Sequence, residues 1–113
     1  MPKKQTEQKI VELLKTMKQG VSHLEKKFSQ DEIEQKLYMF SNLMEAFTSI
    51  EDALQRNNKA EKFKEETDEL RRSFDMITSS YEENNLGDVR SYFVFSFKKA
   101  FDEWFKKVMK EYN

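Results

Sequence analysis

Apolar side chains stand at Ile10, Leu14, Met17, Val21, Leu24 and Phe28, at spacings of 4, 3, 4, 3 and 4. That rhythm keeps one side of a helix apolar for about five turns, whereas a strand would need alternation. It returns at Phe63, Thr67, Leu70, Phe74, Ile77 and Tyr81. Two glycines and one proline are all that interrupt 113 residues. A chain with so few turn formers and such long stripes is confined to helices packed along their lengths. Its length supports one core and not two.

The remaining punctuation divides the chain into four. Val11 and Leu13 widen the first stripe, and Gly20 either admits a close neighbour or marks a kink. Ser29-Gln30-Asp31-Glu32 reads as a capping box that opens a second helix. That helix carries two adjoining stripes. One is Ile33, Leu37, Phe40, Met44, Phe47 and Leu54; the other is Met39, Leu43, Ala46, Ile50 and Ala53. Two stripes predict neighbours on two sides, as in a bundle. Asn57-Asn58 reads as a turn. The third helix is so charged from Glu61 to Arg72 that only a narrow face there can be buried. Before the fourth helix, Gly87 suits a left-handed position and Asp88 an N-cap.

The spacing therefore predicts a single all-α domain over residues 1–113, an up-down antiparallel four-helix bundle. Its helices are expected at about 6–28, 30–56, 59–85 and 88–112. A three-helix arrangement with a separately docked fourth helix is the alternative. The run Tyr92-Phe93-Val94-Phe95-Ser96-Phe97 favours strand by composition, but no partner strand is evident, and the pattern from Phe97 to Trp104 is helical.

Charge is uneven along these segments. Residues 1–28 hold seven basic and three acidic residues, and residues 29–57 hold two and six. Residues 58–87 hold five and eight, and residues 88–113 hold six and four. The segment charges are thus +4, -4, -3 and +2, within a net charge of -1. First-to-second and third-to-fourth helix contacts would be complementary, although surface pairs contribute little.

Several chemistries are excluded or disfavoured. No cysteine means no disulfide framework, thiolate metal site or thiol nucleophile. Gly-rich phosphate loops are absent. The one histidine, His23, has no His-x-x-x-His or Glu-x-x-His partner, and Glu32, Glu45 and Glu69 lack the histidines of a di-iron bundle. Ser and Thr form no nucleophile elbow. The expectation is a non-enzyme with no metal and no cofactor; an enzyme or metal carrier is the least favoured class. No apolar signal segment follows Met1-Pro2-Lys3-Lys4, and the longest apolar run, Ser91 to Phe97, is far shorter than the roughly 20 residues of a membrane span. A soluble cytoplasmic protein is expected.

The fourth helix holds seven aromatics in fourteen positions, from Tyr92 to Phe105. Phe93, Phe97, Ala100, Phe101, Trp104 and Val108 fall within a sector of about 100° and form the expected core face. Phe95 lies about 160° from Phe97 on a helical wheel, and Tyr92 about 140° the other way. Aromatics leaving the core mark interfaces. Tyr92, Phe95, Trp104 and Phe105 are therefore the candidate partner-binding residues, for a protein partner or a second copy in a homodimer. The alternative is a crowded core covering both sides of this helix. A second functional reading is nucleic-acid binding through a basic face. Lys3, Lys4, Lys9, Lys15, Lys18, Lys26 and Lys27 would merge with Lys98, Lys99, Lys106, Lys107 and Lys110 if the first and fourth helices were adjacent.

Leu43-Met44-Glu45-Ala46-Phe47 to Leu54, and Asp88-Val89 with Ser91-Tyr92-Phe93-Val94-Phe95 and Asp102-Glu103-Trp104, resemble small uncharacterised helical proteins of Gram-positive bacteria. The layout over about residues 10–108 is in turn similar to flagellar export chaperones of the four-helix type. That resemblance implies a small adaptor that receives an amphipathic partner helix in a groove. Where the family carries acids in mid-helix, this chain has Ser91, Val94 and Ser96, so no acidic site is carried over.

Overall fold

The computed structural model describes residues 5–29 and 37–112, with side chains over 7–26 and 39–112. Helix α1 spans Gln5–Ser29, α2 Leu37–Arg56 and α3 Lys64–Glu82. A C-terminal rod follows, made of α4 (Leu86–Ser91), a π-helical segment (Tyr92–Phe97) and α5 (Lys98–Tyr112). Among the described residues there are four helical rods and no strand, so the chain is an all-α bundle. The expected capping box at Ser29–Glu32, and the side chains of Phe28, Ile33 and Leu37, lie outside the described residues.

Neighbouring rods run in opposite directions. The Gly20 backbone of α1 faces Leu43 of α2, and Ile10 lies nearer Ala53. Met44 of α2 lies 3.9 Å from the Thr78 hydroxyl of α3, while Glu51, further along α2, pairs with the earlier Arg71. Thr67 meets Trp104, and Phe74 meets Phe97. Lys18 of α1 lies over Phe105, while Glu25 reaches Lys98 at 3.9 Å. The rods thus pack in cyclic order, with α1 and α3 each beside both α2 and the C-terminal rod. Gly20 serves a close approach: a Cβ there would come within 2.8 Å of the Leu43 Cδ2 atom.

Most described side chains of the expected stripes form the core, while Met39, Met44, Ala46, Ala53 and Tyr81 are partly buried and pack against it. Ile10, Leu14, Met17, Val21 and Leu24 are buried, as are Phe40, Leu43, Phe47, Ile50 and Leu54. Phe63, Leu70, Phe74 and Ile77 join them from the third rod. Phe74 is the hub of the aromatic cluster, with ring centroids 5.1 Å from Phe40, 5.3 Å from Phe47 and 4.9 Å from Phe97. Of the charged segment in α3, Leu70 is the buried residue between Lys64 and Arg72, which is the narrow face expected.

The Asn57-Asn58 turn lies where it was expected, and the second turn departs from the expectation in one respect. Asn58 and Asn84, each at φ 59°, occupy the left-handed positions, and Gly87 does not. Each closes a Schellman motif. The Lys59 N–H donates to the Leu54 carbonyl at 2.8 Å, and the Asn85 N–H to the Ser80 carbonyl at 2.8 Å. Asparagine tolerates this conformation better than most side chains. With the turn closed at Asn84, the next free residue becomes the cap. The Asn85 side chain accepts from the Asp88 N–H at 3.3 Å and donates to the Asp88 carboxylate at 2.7 Å. Asn85, and not Asp88, is therefore the N-cap. The third helix also begins later than about residue 59: Glu61–Phe63 form a 3-10 turn that delivers the buried Phe63, and α3 starts at Lys64.

Ion pairs link the rods at the surface. Lys107 meets Glu66 at 3.1 Å, the third-to-fourth pairing that the segment charges favour. Lys59 and Lys62 hold Glu111 with the opposite polarity, and their hydrogen bonds keep its carboxyl below the usual range. Arg71 pairs with Glu51 and lies 5.4 Å above the Phe47 ring.

Burial pushes the Tyr81 phenol up to about 12 and also raises that of Tyr112. A raised folded-state value means that the neutral phenol is the form the fold prefers. Its stabilisation is therefore intact below about pH 10 and drains away as pH climbs towards the folded value. In urea titrations at about pH 8 and about pH 11, the wild type should lose stability at the higher pH, and Tyr81→Phe should lose less. An equal loss in both would show that Tyr81 does not contribute.

Candidate functional site: the exposed face of the C-terminal rod

The C-terminal rod is where spacing, backbone and exposure coincide. Val89, Phe93, Phe97 and Phe101 are buried at spacings of 4, 4 and 4. In an α-helix each step of four residues drifts by about 40°, which would carry Phe101 about 120° from Val89. The π-helical segment has wider i→i+5 turns, which remove most of that drift. Its effect is visible in the rings. Phe93 and Phe97 stack at 5.2 Å with planes 16° apart, and Phe97 and Phe101 at 6.2 Å with planes 8° apart. The wide turn holds three parallel rings against the core, and it displays what lies on its other side. Val94 is 45% exposed and Phe95 76% exposed; they are the exposed large apolar residues among those described.

The four candidate aromatics go to different places. As a partner-binding residue Trp104 is a correction: it is fully buried, on the core face where its spacing put it. Its ring meets Phe47 edge-on at 5.3 Å, and its indole N–H donates to the Thr67 hydroxyl at 3.2 Å. That position satisfies both the apolar ring and its polar tip, so nothing of it remains for a partner. Tyr92 is half-buried and packs against the core edge. Phe105 is half-buried on the α1 side of the rod, with the Lys18 ammonium 5.0 Å from its ring centroid. Phe95 is the one that stands free in solvent, and it does not share a patch with Phe105.

Phe95 lies beside α3, next to a shallow depression lined by Ser96, Lys99 and Ala100. The carboxylates of Glu65, Glu66, Glu69 and Glu103 complete its wall. Two of these have intramolecular partners, Lys107 for Glu66 and Arg72 for Glu69. The result is an apolar ring in an acidic surround. The α3 carboxylates were missed in the sequence, because which charges flank Phe95 depends on which rod lies next to it.

The opposite character prevails where α1 meets α5. Lys18, Lys98, Lys106 and Lys110 surround Phe105 and Met109, with one acid among them, Asp102, which is paired with Lys98. Lys15, Ser22, His23 and Lys26 continue this surface along α1. The adjacency on which a merged basic face depends is therefore present, but Lys99 and Lys107 do not join it: Lys99 lines the depression beside Phe95 and Lys107 pairs with Glu66 of α3. His23 is exposed there among lysines. Among the described residues no three of His, Asp or Glu converge to hold a metal ion, and no helix is long and apolar enough to cross a membrane.

No curated protein and no solved structure matches the chain. Residues 5–107 match the family described as a domain of unknown function, DUF8042, and since that match spans α1 to α5, the chain belongs to this family.

Proposed function

We propose that the protein is a non-enzymatic interaction module, a small cytoplasmic adaptor or chaperone-like bundle that binds a protein through the Phe95 face. The observation that carries this reading is the 76% exposure of Phe95 on a rod whose other aromatics are all at least half-buried. An exposed aromatic costs solubility, and its burial by a partner removes apolar surface worth about 1.5–3 kcal/mol. The wide turn supports the same reading, since such turns occur frequently at functional sites. The resemblance in layout to flagellar export chaperones agrees with it.

Capture from the native cell, with wild type and Phe95→Asp as paired baits, tests the proposal. A partner held by the wild type should be lost from the variant while the variant's circular dichroism stays the same. A genuine anchor is worth 2 kcal/mol or more, about 30-fold in affinity. Capture that is indifferent to Phe95→Asp would sink the site.

A second reading is favoured by the meeting of α1 and α5, which gathers lysines from both ends of the sequence. On that reading the α1/α5 face binds nucleic acid. A gel shift at low salt that fades steeply as salt rises would support it, and no shift at low salt removes it.

A further inference from the structure

We propose that the Phe95 face docks on the α1/α5 lysine face of a second copy of this chain. The inference rests on the reading of Phe95 as a contact residue and adds the identity of what it contacts. The two faces differ in sign and match in kind. One presents Phe95 among the exposed carboxylates of Glu65 and Glu103, with Lys99 as its one cation. The other presents Phe105 and Met109 as a half-buried apolar floor between the exposed Lys106 and Lys110. A ring seated on that floor would bring carboxylates and ammonium groups into register around it, which is the apolar centre and polar rim of a protein interface. The net charge of -1 leaves no strong overall repulsion between copies. Two Phe95 faces are poorly matched to each other, because four carboxylates stand there against the one ammonium of Lys99. The contact must therefore join unlike faces: made once between two copies it is head-to-tail and builds a ring or an open series, and made reciprocally about a two-fold axis it closes a dimer.

Sedimentation velocity of the full chain, from low micromolar to millimolar concentration, tests this at about 20 mM and about 500 mM salt. The expected result is a weight-average mass that rises with concentration at low salt and rises at least about tenfold later at high salt. Phe95→Ala should weaken association at least about tenfold. Two charge-reversed variants supply the decisive arm. Glu65→Lys with Glu103→Lys, and Lys106→Glu with Lys110→Glu, should each be monomeric alone and folded by circular dichroism. Mixed together they should associate, since each retains the face that the other needs. A wild type that stays monomeric at low salt, or a mixture that does not associate, overturns the proposal. So does a monomer whose Phe95 face instead holds a foreign protein, or whose lysine face holds nucleic acid. A monomer whose captured partner is still lost on Phe95→Asp would leave the interaction reading standing. Capture indifferent to that substitution would remove the reading itself.

Discussion

Trp104→Ala is expected to cost about 3–5 kcal/mol of folding free energy, the range for truncating a fully buried large aromatic. Small domains are stable by only about 5–15 kcal/mol, so the variant should sit near the edge of folding. The reason is local and specific. Trp104 has no exposed surface, it meets Phe47 at 5.3 Å and Phe101 at 6.2 Å, and it joins α2, α3 and α5 at one point. Its hydrogen bond to Thr67 divides the loss into two parts. Trp104→Phe keeps most of the apolar volume but leaves the Thr67 hydroxyl without the indole, and should cost about 1–3 kcal/mol. Because Trp104 is the single tryptophan of the chain, unfolding of both variants must be followed by circular dichroism in urea. A loss below about 1 kcal/mol for Trp104→Ala would return this side chain to the surface, contrary to the core position described above.

Deletion of Phe95 is expected to leave the bundle folded, with a melting temperature equal to or above that of the wild type. Deletion of Lys106 is expected to be severely destabilising. In the wild type the buried positions Val89, Phe93, Phe97, Phe101, Trp104, Val108 and Tyr112 follow spacings of 4, 4, 4, 3, 4 and 4. Removing Phe95 converts these to 4, 3, 4, 3, 4 and 4, which an ordinary α-helix can bury on one face without a wide turn. The deleted side chain is exposed, so little packing is lost with it. Lys106 is also exposed, but it lies inside a regular α-helix. Its removal would turn Val108 and Tyr112 by about 100° relative to Trp104 and take both from the core. Each buried side chain of that size is worth about 1.5–3 kcal/mol. Thermal melts of the two deletions distinguish them directly. A collapse on deletion of Phe95 as deep as that on deletion of Lys106 would show that the wide turn is a structural requirement. The same deletion should also abolish any contact made through Phe95, which separates what the wide turn does for folding from what it does for binding.

Helix existence and the core faces were legible from periodicity. Ile10 to Leu24, and Phe63 to Ile77, occupy the buried positions that their spacing assigns, since an apolar side chain at helical period has one place to go. Turn chemistry was less legible. Asn84 and Gly87 can both take a left-handed conformation, and the choice rests on where the last helical hydrogen bonds close. The wide turn left a readable trace in the 4, 4, 4 spacing, but a fixed 100° wheel absorbs that spacing into one broad sector.

The aromatics of the C-terminal rod mark the boundary most clearly. The sequence by itself determined that seven of them could not share one face, and that Phe95 lay furthest from the core direction. It placed Trp104 on the core face and Phe105 about 100° away, yet offered both as partner residues, because how much of each is covered depends on what packs against it. The tertiary structure decided that. It set Phe47 and Thr67 over Trp104, α1 beside Phe105, and the α3 carboxylates beside Phe95. Periodicity is a property of one helix and can be read along it. Burial and the electrostatic surround of a side chain belong to pairs of helices, and only their packing sets them.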